Sequence, residues 1–187
     1  MRVAESGYLS AKYFSAATPE DWKAYNFFTK EEDTVIAVRK GTVVEVKDIH
    51  KTDEPGKAVY TSAMNEITVE HPDGTLARYR GFKKGVFVKL GQTVYPATPL
   101  GINTRFNASS ANYNVSLYVF YLKSDDIESQ RQATLKTSRS FYGFVTPHFF
   151  VDGQPSIVLQ DKTEYIAANT EEIMRLELSK KELKGLK

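Results

Sequence analysis

Cysteine is absent from the 187 residues, which removes thiol nucleophiles, cysteine-based zinc sites and disulfides together. Histidine is scarce. His50, His71 and His148 are the three that occur, and none stands in a His-x-His or His-x-x-x-His spacing that would bring two imidazoles to one metal ion. No apolar run approaches the roughly 20 residues that a membrane-spanning helix needs. Net charge is only +2, so the chain lacks the electropositive footprint of a nucleic-acid binder. Gly-x-Ser-x-Gly, Walker and dinucleotide-binding glycine patterns are all missing. The N-terminal MRVAESGYLSAKYFS has no apolar h-region, which fits a cytoplasmic chain or one whose leader has been removed.

What is present is a β-forming chain. Hydrophobic residues make up 41% and charged residues 26%, ordinary for a globular domain. Tyr and Phe are abundant, 11 of each beside a single Trp; most of these rings are expected to fill a β-rich core. The clearest signal is Asn65 to Gly101. Ile67, Thr68 and Val69 suit a pleated strand, Pro72-Asp73-Gly74-Thr75 supplies a turn, and Leu76 to Phe82 runs back. Val86, Val88 and Val94 mark further extended segments around Leu90-Gly91-Gln92. Upstream, Val35 to Val46 reads as two strands meeting at Lys40-Gly41, with Val35, Ala37, Val44 and Val46 on the buried side. Tyr113 to Leu122 is apolar at nearly every position and predicts a central strand covered on both faces.

The flanks are less regular. Thr18-Pro19-Glu20-Asp21 has the form of a helix start and predicts a short helix from Pro19 to about Phe28. Glu31-Glu32-Asp33 reads as a solvated loop, as do Asp48 to Met64 and Ile102 to Asn112. Residues Ser124 to Ser140 lose the apolar alternation and read as a linker. Phe141 to Phe150 and Ser156 to Gln160 can pair around the turn at Asp152-Gly153. Asn169-Thr170-Glu171-Glu172 offers a capping box, and Ile173, Leu176 and Leu183 fall on one helical face, although IMRLEL also suits a strand. The division expected is an arm over 1–33, a β core over 34–123, and a linker with a C-terminal extension over 124–187.

Four segments in order, VIAVRKGTVVEV, NEITVEHPDGTLARY, VKLGQTVYPATPLG and YNVSLYVFYL, resemble the lysostaphin-type peptidoglycan metalloendopeptidases over roughly Trp22 to Leu122. The resemblance implies a mainly β fold, an antiparallel barrel-sandwich. It also implies a zinc ion held by two imidazoles and a carboxylate, with a polarised water in the open position. In this chain the matching positions carry other residues. The His and Asp of the family's His-x-x-x-Asp element fall on Trp22 and Asn26, the two histidines of its His-x-His strand on Asn114 and Ser116. The histidine that follows Tyr79 in the family falls on Gly81. Trp and Gly offer no lone pair, and neutral amide or hydroxyl oxygens are poor zinc ligands.

What the resemblance implies is therefore an inactive homologue, with no cofactor and no metal, using a groove of Trp22, Asn26, Tyr79, Gly81, Asn114 and Ser116 as a binding or regulatory module of the cell envelope. Its expected partners are a peptidoglycan peptide or glycan, or a protein such as a cell-wall hydrolase, in the periplasm or cell envelope. Two alternatives stand beside it: an active hydrolase in a different register, and a structural envelope subunit docked through its charged tail. GVFVKLGQTVYPATPL also has the cadence of biotinyl and lipoyl carriers, but Lys83-Lys84 lacks the attachment context of those modules. The adjacent acids Asp125-Asp126 and Glu171-Glu172 read as solvated surface.

Overall fold

A computed structural model describes residues 2–5, 23–51, 64–105, 111–123, 142–151, 153–166 and 171–185. It is mainly β and antiparallel, as the period-2 patterning predicts. The strand order of the principal sheet is β1 (Arg2–Glu5), β2 (Tyr25–Thr29), β10 (Tyr113–Leu122), β6 (Leu76–Phe82), β5 (Asn65–Glu70), β4 (Gly41–Lys47) and β7 (Thr93–Val94). Strands β9 (Thr104–Arg105) and β11 (Tyr142–Val145) also pair with β10, making nine strands in an open sheet. Two small sheets accompany it, β3 (Thr34–Ile36) with β8 (Pro99–Ile102), and β12 (Phe149–Val151) with β13 (Gln154–Ile157). The described strands do not close into a barrel.

Strand β10 takes the central place expected of it. Ser116 and Leu117 face β2 on one edge and β6 on the other. Val119 to Leu122 then continue along β11. Alternation along β10 divides the sheet into two faces. Leu117 and Val119 join Tyr25, Phe27, Ile67, Val69, Ala77 and Tyr79 in the core. The rings of Tyr25 and Phe27 meet Phe149 edge-on, with centroids 5.5 and 6.0 Å apart, so the β12–β13 hairpin packs on that face. That hairpin turns at Gly153, whose φ of +78° suits the expected Asp-Gly turn.

Four local expectations change. Tyr25–Thr29 is a strand, not the end of a helix. Its Tyr25 and Phe27 go to the core while Asn26 and Phe28 face the other way, and it satisfies the free edge of β10; pairing and burial override a local capping pattern. The proposed helix start at Thr18 lies outside the described residues. In β4 the register shifts between Val43 and Glu45, so Val44 bulges into solvent while Val43 is buried and Val46 packs against the core. A bulge re-phases the alternation, which a strict two-residue period cannot anticipate. Residues 83–92 are irregular, apart from any strand, although Val86 and Val88 still pack into the core. Thr104 and Arg105, expected in a loop, form β9 against the start of β10.

The tail is helical: α1 (Glu171–Leu176) and α2 (Lys180–Gly185). The capping box expected at Asn169 falls partly outside the described residues. A capping box does occur one helix later, where Ser179 Oγ and N–H both donate to Glu182 Oε2, at 2.6 and 2.8 Å. Glu182 N–H returns a bond to Ser179 Oγ at 3.3 Å. No described helix is long and apolar enough to cross a membrane.

Candidate functional site

The sheet face opposite the core carries a row of hydrogen-bonding side chains across four neighbouring strands. Asn26 on β2 stands opposite Ser116 on β10, Ser116 opposite Arg80 on β6, and Arg80 opposite Glu66 on β5. The Ser116 hydroxyl donates to Asn26 Oδ1. Arg80 Nε lies 2.9 Å from Glu66 Oε2, an ion pair whose angle falls short of a hydrogen bond.

One row along, the same face repeats the theme. Tyr118, Arg78 and Thr68 are in cross-strand register, with Glu45 beside Thr68 on β4. Arg78 Nη2 donates to Glu45 Oε2 at 2.7 Å and its Nε to Thr68 Oγ1 at 3.0 Å. Thr68 Oγ1 in turn donates to the same Glu45 oxygen at 2.8 Å. The Arg78 guanidinium also lies over the rings of Phe120 and Tyr118, 5.4 and 6.0 Å from their centroids. Burial pushes the Tyr118 hydroxyl above its ordinary range, against the opposing effect of the Arg78 and Arg80 cations. The second row is saturated by its own partners, whereas the first retains unused capacity.

Asn114 supplies the largest part of that capacity. It lies two residues before Ser116 on the same face, opposite Phe28 of β2. It is fully buried, and neither its Oδ1 nor its Nδ2 has a partner. Native interiors pair nearly all such groups, and leaving a buried amide unmade costs about 1–3 kcal/mol.

Of the six residues expected in a groove, the structure brings Asn26, Asn114 and Ser116 onto one face. Tyr79 is turned away. It stands opposite Leu117 in the core, and its hydroxyl accepts the Val38 N–H at 2.9 Å, with burial driving its ionisation far above the usual range. Gly81 contributes backbone only. It lies at the register shift between β5 and β6 with φ of +103°, and a Cβ there would come within 3.0 Å of the Asn114 carbonyl oxygen. Trp22 lies outside the described residues. Arg78, Arg80, Glu66, Glu45 and Thr68 were not expected at the site, although Arg78-Tyr79-Arg80 and Glu66-Ile67-Thr68 alternate polar and apolar in the way that marks a two-faced strand.

Of the three positions at which the resemblance expects zinc ligands, Trp22 lies outside the described residues, and Asn26 and Ser116 offer a neutral amide and a hydroxyl oxygen, which are poor ligands for zinc. Among the described residues no three His, Cys, Asp or Glu side chains form a metal-binding group. His71 is engaged elsewhere. Its Nδ1 bonds the Lys40 carbonyl at 2.9 Å, its backbone closes the Thr75 turn at 2.8 Å, and burial lowers the imidazole's basicity.

An open antiparallel sheet with one apolar and one polar, ion-paired face is thus the class of protein defined here. No protein-family model and no curated protein matches the chain. Among solved structures, it is similar to the NMR solution structure of lysostaphin, at 17% identity and a TM-score of 0.42. That alignment covers 63% of this chain and 48% of the lysostaphin chain, so this chain spans about half of its length. A likeness of this size leaves the site to be argued from its own residues.

Proposed function

We propose that this protein is a non-catalytic homologue of the lysostaphin-type peptidases, and that it acts at the cell envelope by binding, not cutting, the peptides or glycans of peptidoglycan. The carrying observation is the row Asn26–Ser116–Arg80–Glu66 beside the unpartnered amide of Asn114. Amide, hydroxyl, guanidinium and carboxylate side by side can hydrogen-bond amide and hydroxyl groups of a ligand, while none of them activates water at neutral pH as a metal-bound site does. Asn114, buried beside the row, adds a donor and an acceptor without a hydrogen-bond partner, groups that suit a ligand's polar atoms.

The test is co-sedimentation of the full chain with insoluble peptidoglycan. Wild type pellets with the polymer, and Arg80→Gln weakens retention about tenfold, the equivalent of one charge-assisted hydrogen bond. Wild type remaining wholly in the supernatant contradicts the proposal. A protein partner such as a wall hydrolase is the second ligand class; it would bind the same row, and Arg80→Gln would then weaken the hydrolase complex instead.

A further inference from the structure

Three large apolar side chains stand in solvent at the β4 side of the sheet: Ile49 is 68% exposed, Phe87 52% and Leu90 70%. They belong to two segments that the fold ties together. The Asp48 carboxylate accepts the Gly85 N–H at 2.9 Å and the Val86 N–H at 3.3 Å, which fastens the segment bearing Ile49 to the loop bearing Phe87. That loop then closes on β4, where the Gly91 N–H donates to the Val43 carbonyl at 2.8 Å. Its outward residues are held outward. Val86 and Val88 pack into the core on either side of Phe87, and the Phe87 N–H is bonded to the Leu100 carbonyl at 2.8 Å. Phe87 cannot turn inward without displacing a valine from the core.

Lysines interleave with these apolar groups. Lys84 and Lys89 are exposed in the loop and Lys51 is exposed beside Ile49. Among the described residues, several neighbouring carboxylates are engaged: Asp48 by backbone N–H groups, Glu45 by Arg78, Glu66 by Arg80 and Glu32 by Lys83. The described rim therefore offers exposed ammonium groups interleaved with protruding apolar tips.

We infer that the Ile49–Phe87–Leu90 rim, with Lys51, Lys84 and Lys89, docks this protein on an anionic membrane surface. Apolar side chains entering the boundary between headgroups and acyl chains, with ammonium groups among the phosphates, is the arrangement by which peripheral proteins hold anionic lipid. Charge complementarity selects a negatively charged occupant. Protrusion selects a deformable one, because side chains projecting from a loop can enter a fluid interface, whereas a protein partner would have to present matching pockets. Binding of this kind is weak and reversible.

Vesicle flotation with the full chain tests the inference, comparing phosphatidylcholine vesicles containing phosphatidylglycerol with vesicles of phosphatidylcholine alone. Wild type floats with the anionic vesicles and stays behind with the neutral ones. Raising salt from about 0.1 M to about 0.5 M releases it as the charges are screened. The double variant Lys84→Gln/Lys89→Gln lowers partition roughly 30-fold, from about 1 kcal/mol per lysine. Phe87→Ser/Leu90→Ser loses flotation while keeping the wild-type circular dichroism spectrum, since both residues lie outside the core. Wild type failing to float with anionic vesicles overturns the inference and is the result an acidic protein occupant would give. Flotation unchanged by Phe87→Ser/Leu90→Ser overturns it too. Flotation is read with no peptidoglycan present, so failure here and failure of peptidoglycan binding are separate results.

Discussion

A side chain at position 81 meets two obstacles at once. The backbone there has φ of +103°, a region that L-residues occupy at a cost of about 1–3 kcal/mol, and the Asn114 carbonyl oxygen stands 3.0 Å from where a Cβ would be. Gly81→His is expected to destabilise the fold by about 2 kcal/mol in denaturant unfolding. An unchanged midpoint would show that the bulge relaxes freely. Asn114 makes the opposite case. Asn114→Leu removes an amide that has no partner and keeps a similar volume. Stability should rise by about 1–2 kcal/mol, while retention on peptidoglycan falls. A residue that costs stability and supports binding is the signature expected of a site, and a loss of stability in Asn114→Leu would mean that the amide is satisfied after all.

At the scale of elements, the C-terminal helices are fastened to the turn between β3 and β4. Glu177 takes bonds from Arg39 Nε and, at 2.7 Å, from the Lys40 N–H. Glu182 takes Lys40 Nζ at 2.6 Å and the Tyr95 hydroxyl at 3.1 Å. The bond from Lys40, and then those from Ser179, hold the Glu182 carboxyl down at about 2, from an ordinary 4.5. A depressed carboxyl stabilises the docked state fully above its unfolded value and loses that contribution as pH falls through its folded value. The protection of the Leu183 amide relative to its intrinsic exchange rate, with its N–H donating to the Ser179 carbonyl, should therefore hold from neutral pH to about 5 and fall between about 4 and 2. Glu182→Gln should lower it at neutral pH. Protection that persists in the variant would assign the docking to other contacts.

The elements were legible in the sequence where burial and local pattern agree. Tyr113–Leu122 is legible as a central strand from its nearly continuous apolar run, although its end at Tyr121 and Leu122 is exposed and not covered on both faces, and the hairpin at Pro72-Asp73-Gly74 is legible from its turn chemistry. The losses came where long-range pairing decides. Tyr25–Thr29 looked helical because Thr18-Pro19 is a strong local start, yet the free edge of β10 recruits it as a strand. Val44 departs from the expected alternation because the bulge in β4 is fixed by its partner strand, whereas the core-facing place of Tyr79 is already marked by the alternation Arg78-Tyr79-Arg80. That Asn26, Asn114 and Ser116 share a face follows from the pairing of β2 with β10, and Arg80 and Glu66 stand in line with Ser116 only through the strand order.

At the scale of the whole molecule, the described sheet has one core-facing side and one polar side, and the polar side carries the row Asn26–Ser116–Arg80–Glu66 on which the proposed binding rests. The central claim is binding without cleavage. It is tested by incubating the full chain, with zinc supplied, on dye-labelled insoluble peptidoglycan and centrifuging once. Protein and dye together in the pellet is the result predicted here. Dye released into the supernatant above the protein-free control would contradict it.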